Sequence, residues 1–113
     1  HHVTAMVLIN LKINLMGVLT CVRQIRDLCV SLGLPMNVED SWGCVIASAA
    51  IAHLAHSPPA AFQLQSSAFH DSSTVSIADG APSVKDEYMC ANDAPGLGVT
   101  ADMSQLGEPV FTT

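Results

Sequence analysis

Basic residues are scarce in this chain: four Lys and Arg stand against ten Asp and Glu in 113 residues, a formal net charge of −6. Such a balance repels a phosphate backbone, and neither a basic stripe nor interleaved aromatics offset it locally, so nucleic acid is not an expected partner. Aromatic residues make up only 4% of the sequence while 50% is hydrophobic, so the core must be built from aliphatic and alanine side chains. A long uninterrupted apolar run is also missing. The stretch from Ala5 to Leu19 is broken by Asn10, Lys12 and Asn14, which excludes a membrane-spanning segment there, and it lacks the basic start and small-residue cleavage site of a signal peptide. No membrane partner is expected. Cys21, Cys29, Cys44 and Cys90 form no CxxC pair and no zinc-ligand spacing, and two of them fall on apolar helix positions. They read as reduced packing residues of a cytoplasmic protein. His53 and His56 lie in a helical stretch with no HExxH around them, and His1 with His2 reads as a native loop or a tag remnant.

What is present is a strand and helix rhythm. Val7 to Ile13 is a β-branched and leucine run of the buried-strand kind, ended by Gly17. Thr20 is placed to cap a helix reaching about Leu32, with Cys21, Ile25, Leu28, Cys29 and Leu32 on one face and Gly33 as a left-handed stop. "LPMNVED" restarts as a short strand, "CVIASAAIAHLAH" is an alanine-rich helix ended by Pro58 and Pro59, and "AFQLQS" at 61 to 66 is a third strand. Strand, helix, strand, helix, strand with short connections is the pattern of parallel βα units, so the expected class is α/β. After Phe69 turn signals dominate, with one strand expected at Val75 to Ala78, and this tail is expected to lie across other elements.

Alternation along a strand sorts the side chains. In the first strand Val7, Ile9, Leu11 and Ile13 share the face under the helices, and Leu8, Asn10, Lys12 and Asn14 share the other. Met36 and Val38 oppose Asn37 and Glu39 in the second, and Phe62 and Leu64 oppose Gln63 and Gln65 in the third. Lys12, Glu39 and Gln65 thus recur about every 27 residues, the length of a βα repeat, near the C-terminal strand ends where such sheets place their chemistry. Structural readings stand beside the functional ones. Lys12 could bury its stem and send its ammonium to water, and Glu39 with Asp40 could cap a turn. Trp42 suits a barrel rim as well as a pocket wall. His70 and Asp71 could form a turn or reach the same mouth.

"LKINLMGVLTCVRQIRDLCVSLGLPMNVEDSWG", followed by "AAIAHLAHSPP" and "DAPGLGVTADMSQLGEPV", resembles the C-terminal half of the catalytic domain in the mandelate racemase and muconate lactonizing enzyme family of the enolase superfamily. The lysine with a glycine after it, the LGLPM lead and the PGLG tail occur in that family's order, over nearly the whole chain. The resemblance implies a (β/α)7β barrel under a separate capping domain. Residues 1–66 would be a partial barrel holding strands six to eight, and 67–113 a C-terminal return segment packing on the barrel or the cap. Lys12 would be the sixth-strand general acid or base. Glu39 falls at the seventh-strand position that holds a histidine in racemase-like members, so the lysine-type subgroup fits better. Gln65 lies near an eighth-strand position that is a carboxyl group in some members. Trp42 and Asp71 look like pocket residues of members acting on proline-type acids. Where the family has paired glycines this chain has Gly17 and Val18, and a branched side chain there crowds an approach that needs glycine.

By the same resemblance the metal is Mg²⁺, held by carboxylates of strands three, four and five, with the partner lysine on strand two. No metal-ligating residue is assigned in this chain, and no cofactor is expected for the chain alone. The implied reaction is removal of the proton next to a carboxylate in a small carboxylic, amino or imino acid, by a racemase, epimerase or dehydratase, with cis-3-hydroxy-L-proline dehydratase as one such activity. The implied partners are the N-terminal barrel half, the capping domain and further copies of the parent enzyme. The isolated 113-residue chain is expected to be inactive, self-associating or poorly stable. Two other readings stay open at this point: a non-catalytic remnant or complementing fragment without metal ligands, and an unrelated small α/β binding domain.

Overall fold

The computed structural model describes residues 8–40 and 42–111. Val7, His1 and His2 lie outside them. The first half is a three-stranded sheet with two helices. Strand β1 (Ile9–Lys12), helix α1 (Leu19–Ser31), β2 (Met36–Glu39), helix α2 (Val45–Ala55) and β3 (Gln63–Ser66) follow one another, with sheet order β1-β2-β3 and both pairings parallel. The expected α/β class and strand order are therefore observed. Ile9 lies opposite Met36, Asn10 opposite Asn37, Leu11 opposite Val38 and Lys12 opposite Glu39. Because side chains alternate, this register sends Leu11, Met36 and Val38 into one core with Val22, Cys29, Ile51 and Leu54. Lys12 and Glu39 take the opposite face.

Helix α1 starts two residues earlier than a Thr20 cap would set it. Its N-cap is Val18, extended and without a side-chain cap bond. Its stop is the expected one: Gly33 has φ +69°, the Gly33 N–H donates to the Val30 carbonyl, and the Leu34 N–H donates to the Cys29 carbonyl at 2.9 Å. These are the paired bonds of a Schellman motif, with Leu34 folded onto the core behind them. The face turned to the sheet is Val22, Ile25 and Cys29, whereas Cys21, Leu28 and Leu32 are exposed. The expected stripe was thus misphased by part of a turn, because the helix carries two apolar stripes. Among the cysteines, all reduced, Cys29 alone is buried, so packing explains one thiol and not Cys21 or Cys90. The Arg26 guanidinium donates to Asp27 Oδ1 at 2.6 and 2.9 Å and to Ser57 Oγ, tying α1 to the end of α2.

The third strand departs from simple alternation. Residues Ala60–Phe62 form a 3-10 turn, and a register irregularity between Met36 and Asn37 places Gln63 beside Met36 and Gln65 beside Asn37. One extra residue, Leu64, is left over and stands 59% exposed. A bulge of this kind breaks the period of two, which is why Leu64 does not join Phe62 under the helices.

Helix α2 is apolar nearly all round, with Val45, Ser48, Ala49, Ala50, Ile51, Ala52, Leu54 and Ala55 buried. A helix of that kind needs cover on its outer side as well as on the sheet. The C-terminal segment supplies it. There β4 (Ala78–Asp79) pairs with β7 (Thr100–Ala101), and β5 (Ser83–Lys85) pairs with β6 (Tyr88–Cys90), both antiparallel. Of the strand expected at Val75 to Ala78 only Ala78 lies in β4, and Val75 is exposed. Imidazoles fasten the segment: His53 Nε2 lies 3.2 Å from the Leu97 carbonyl, His56 Nε2 3.1 Å from that of Met89, and His70 Nε2 3.1 Å from that of Pro82. A carbonyl only accepts, so each Nε2 carries the donated proton. The PGLG stretch closes on Asn92, whose Nδ2 donates to the carbonyls of Gly80 and Gly98 at 3.1 and 2.7 Å. Gly98 has φ +70°, and a Cβ there would displace the Asn92 amide that closes the turn, so glycine is favoured at this position.

Burial predicts unequal costs for two leucines. Leu11→Ala, at a side chain with no exposure, should lower unfolding free energy by about 2–5 kcal/mol. Leu28→Ala, on the outer stripe, should change it by about 0.5 kcal/mol or less. Urea unfolding of the two variants checks this, and equal losses would mean that the exposed stripe of α1 is part of the core.

Candidate active site

The β1–β2 register brings Lys12 and Glu39 together at the C-terminal ends of their strands, with Lys12 Nζ 3.3 Å from Glu39 Oε1. Their side chains are 33% and 24% exposed, so the pair is reachable from solvent without being loose on the surface. Two further residues converge on the carboxylate. Asn10, two positions before Lys12 and so on the same face of β1, donates its Nδ2 to Oε1, and Ser67, just past β3, donates its hydroxyl to Oε2 at 3.2 Å. Three chain segments thus meet on one carboxylate. Alternation had placed Asn10 on this face, but nothing in its spacing marked it as a partner of Glu39. Ser67 lay beyond the last strand residue, where alternation stops informing.

The other expected site residues stand apart from this pair. Gln65 is level with Asn37, not Glu39, and faces a groove of about 300 Å³ along β3 that the β5–β6 hairpin helps to line and that includes neither Lys12 nor Glu39. Trp42 is 82% exposed in the connection after β2 and meets Phe69, after β3, with ring centroids 6.0 Å apart and planes tilted by 34°. The two rings bridge the connections that follow β2 and β3. Asp71 pairs with its neighbour His70, Oδ1 to Nε2 at 3.3 Å, and that histidine turns to Pro82. Gly17 has φ +95° in open space, and Val18 beside it is extended and exposed, so the branched residue is accommodated here without backbone strain.

Electrostatics follow from these contacts. The Asn10 hydrogen bond above all holds the Glu39 carboxyl below its ordinary value, helped by the bonds from Lys12 and Ser67 and by the Lys12 charge, while partial burial pushes the other way. Among the described residues no group of three or more His, Cys, Asp or Glu could hold a metal ion. The donor set present therefore does not fit Mg²⁺. Chemically, the site offers a solvent-reachable amine beside a carboxylate held toward its ionised form.

A parallel βα sheet with a lysine at the C-terminal end of one strand and a carboxylate at the end of the next agrees with the comparisons with known proteins. Residues 3–105 match the family described as Enolase C-terminal domain-like, and the chain belongs to that family. It is 49% identical over 106 residues to cis-3-hydroxy-L-proline dehydratase from Roseibium aggregatum, covering 94% of this chain and 29% of that protein. Among solved structures it superposes on a mandelate racemase/muconate lactonizing enzyme from Roseovarius nubinhibens with a TM-score of 0.88 and 42% identity, over 92% of this chain and 28% of that one. An enolase-superfamily member from the same organism, solved with magnesium, gives 0.85 and 40% over 90% and 28%. The chain thus spans under a third of the length of these relatives. Its architecture is a partial (β/α) barrel of the enolase C-terminal type with a C-terminal extension, and an unrelated small binding domain is ruled out. Among the described residues no helix is long and apolar enough to cross a membrane.

A carboxyl group whose folded-state pKa is depressed contributes stability above its unfolded value of about 4.3 and loses it as pH falls through the folded value. Unfolding free energy should therefore drop as pH is lowered from about 5 to 3. Glu39→Gln should reduce that slope without abolishing it, because Asp102, which accepts from Ser104, is also held low. Urea unfolding at a series of pH values reads both slopes, and identical slopes would remove Glu39 from the account.

Proposed function

We propose that this chain supplies the sixth, seventh and eighth strands of an enolase-type barrel in an enzyme that moves the proton next to a carboxylate, and that Lys12 is one of its acid–base groups. The observation that carries this reading is the placement of Lys12. It projects from a C-terminal strand end on the face away from the helices, where a barrel interior lies, and is held by Glu39. In the base direction the Cα–H bond of the substrate breaks, the proton passes to an uncharged Lys12 Nζ, and the electron pair enters the enediolate. If the neighbouring carbon bears a hydroxyl, that pair expels it, the C–O bond breaks and water leaves once the oxygen is protonated. The relative named as a cis-3-hydroxy-L-proline dehydratase makes a hydroxylated imino acid the favoured substrate class, with racemisation and epimerisation as the reactions that the same step permits without a leaving group.

In this reading Glu39 lines the substrate pocket beside Lys12, and Trp42, Gln65 and Asp71, which stand apart from that pair in this chain, belong to the same pocket once the remaining strands close the barrel. Residues 1–66 are the barrel portion, and 67–113 the return segment that also meets the barrel or a capping domain. Mg²⁺ in the full enzyme would neutralise the enediolate. It would be held by residues beyond those described here. The partners are the remaining barrel strands, the cap and further copies of the enzyme, in the cytoplasm.

A chimera tests the reading: this chain replaces the matching segment of the Roseibium aggregatum enzyme, and turnover of cis-3-hydroxy-L-proline and α-proton exchange in D₂O are followed. Turnover is expected, and Lys12→Ala should lower kcat by about 10²–10⁴-fold with KM little changed. Unchanged kcat in the alanine variant would return Lys12 to a structural role. A folded chimera that is inactive with Lys12 intact would favour a non-catalytic remnant. Should the whole segment fail to fold, grafting residues 9–40 alone keeps the comparison.

A further inference from the structure

We propose that Glu39 is the positioning residue for Lys12, and that Asn10 and Ser67 act with it by fixing its carboxylate; this rests on the acid–base role proposed above for Lys12. A lysine reaches its ammonium through four rotatable bonds, and this one is a third exposed. Left alone, its nitrogen would sweep a volume much larger than proton transfer tolerates, since donor and acceptor must come within about 2.6–3.2 Å in an aligned geometry. Pairing with Glu39 gives Nζ one resting point. That point is only as well defined as the carboxylate itself.

The carboxylate is defined from both of its oxygens. Oε1 accepts from Asn10 and Lys12, both on β1, and Oε2 accepts from Ser67, on the far side of β2. Rotating the carboxylate would break contacts on two sides at once. A carboxylate only accepts, so the Asn10 amide must present its NH₂ to it, which settles the orientation of that side chain as well. Asn10 and Lys12 share one face of one strand two residues apart, so the donor that holds Glu39 moves with the lysine that Glu39 holds. The contact serves both states of the lysine: a protonated Nζ gains the Coulombic attraction of the ion pair, and an uncharged Nζ still donates an N–H to Oε1.

The chimera carrying Lys12, Glu39, Asn10 and Ser67 is the test system. Glu39→Gln should lower kcat by about 10–100-fold, the cost of misplacing a reacting group by roughly 1 Å, with KM changed less than about threefold. Asn10→Ala and Ser67→Ala keep the Glu39 charge and remain informative if the Glu39 variant does not fold. Each should lower kcat several-fold with the same split from KM. If these variants keep kcat within about twofold while Lys12→Ala abolishes turnover, the positioning role is wrong and the acid–base role stands. If Glu39→Gln raises KM alone, Glu39 holds substrate instead of the lysine, which also overturns the proposal. If Lys12→Ala leaves kcat unchanged, the acid–base role fails first.

Discussion

The parallel register of β1 on β2 is the constraint on which the rest depends. Opposing Leu11 to Val38 fixes the helix side of the sheet, and the same pairing necessarily opposes Lys12 to Glu39 on the other side. Core and site are therefore two outcomes of one alignment. A slip of one residue would bury the lysine under α1 and turn Leu11 to solvent, exchanging the burial of a leucine for the desolvation of an ammonium. The hydrophobic preference that builds the core also aims the chemistry.

The same logic extends to the C-terminal half. An alanine-rich helix packs closely on a sheet because its side chains are small, but α2 is apolar on its outer surface too and needs a second layer. The segment from β4 to β7 has little core of its own, and it is held by bonds from His53, His56 and His70 to main-chain carbonyls. Those histidines thus serve to attach a layer. The outer stripe of α1, with Leu28 and Leu32, has no such cover among the described residues. In the barrel proposed for the full enzyme, the neighbouring helix would lie there.

Much of this was legible in the sequence, and the limits have physical causes. The βα order follows from hydrophobic period and from Gly33, whose left-handed conformation ends α1 where expected. The face of α1 was not legible, because Cys21, Leu28 and Leu32 make a stripe as apolar as Val22, Ile25 and Cys29, and periodicity does not say which one meets the sheet. Leu64 was misplaced because a bulge depends on pairing with β2, which local alternation does not contain. The β5–β6 hairpin carries little sequence signal, since its turn residues, Asp86 and Glu87, adopt positive φ without the glycine that usually marks such a turn. In the site, Lys12 and Glu39 followed from strand alternation. Trp42 and Asp71 lie in connections, where position left rim and turn open beside the pocket and the resemblance favoured the pocket, and Ser67 lay where no period applies.

Lys12 and Glu39 share the open face of the sheet as direct neighbours. The sequence holds only two lysines, Lys12 and Lys85, so the ε-methylene signals of Lys12 are readily assigned in an isotope-labelled sample. With Nζ 3.3 Å from Oε1, a nuclear Overhauser spectrum should show cross-peaks from the Lys12 ε-protons to the Glu39 γ-protons. Cross-peaks from the Lys12 ε-protons to Val22 or Ile25 methyls instead, with none to Glu39, would place the lysine under α1 and contradict the register from which the site is built.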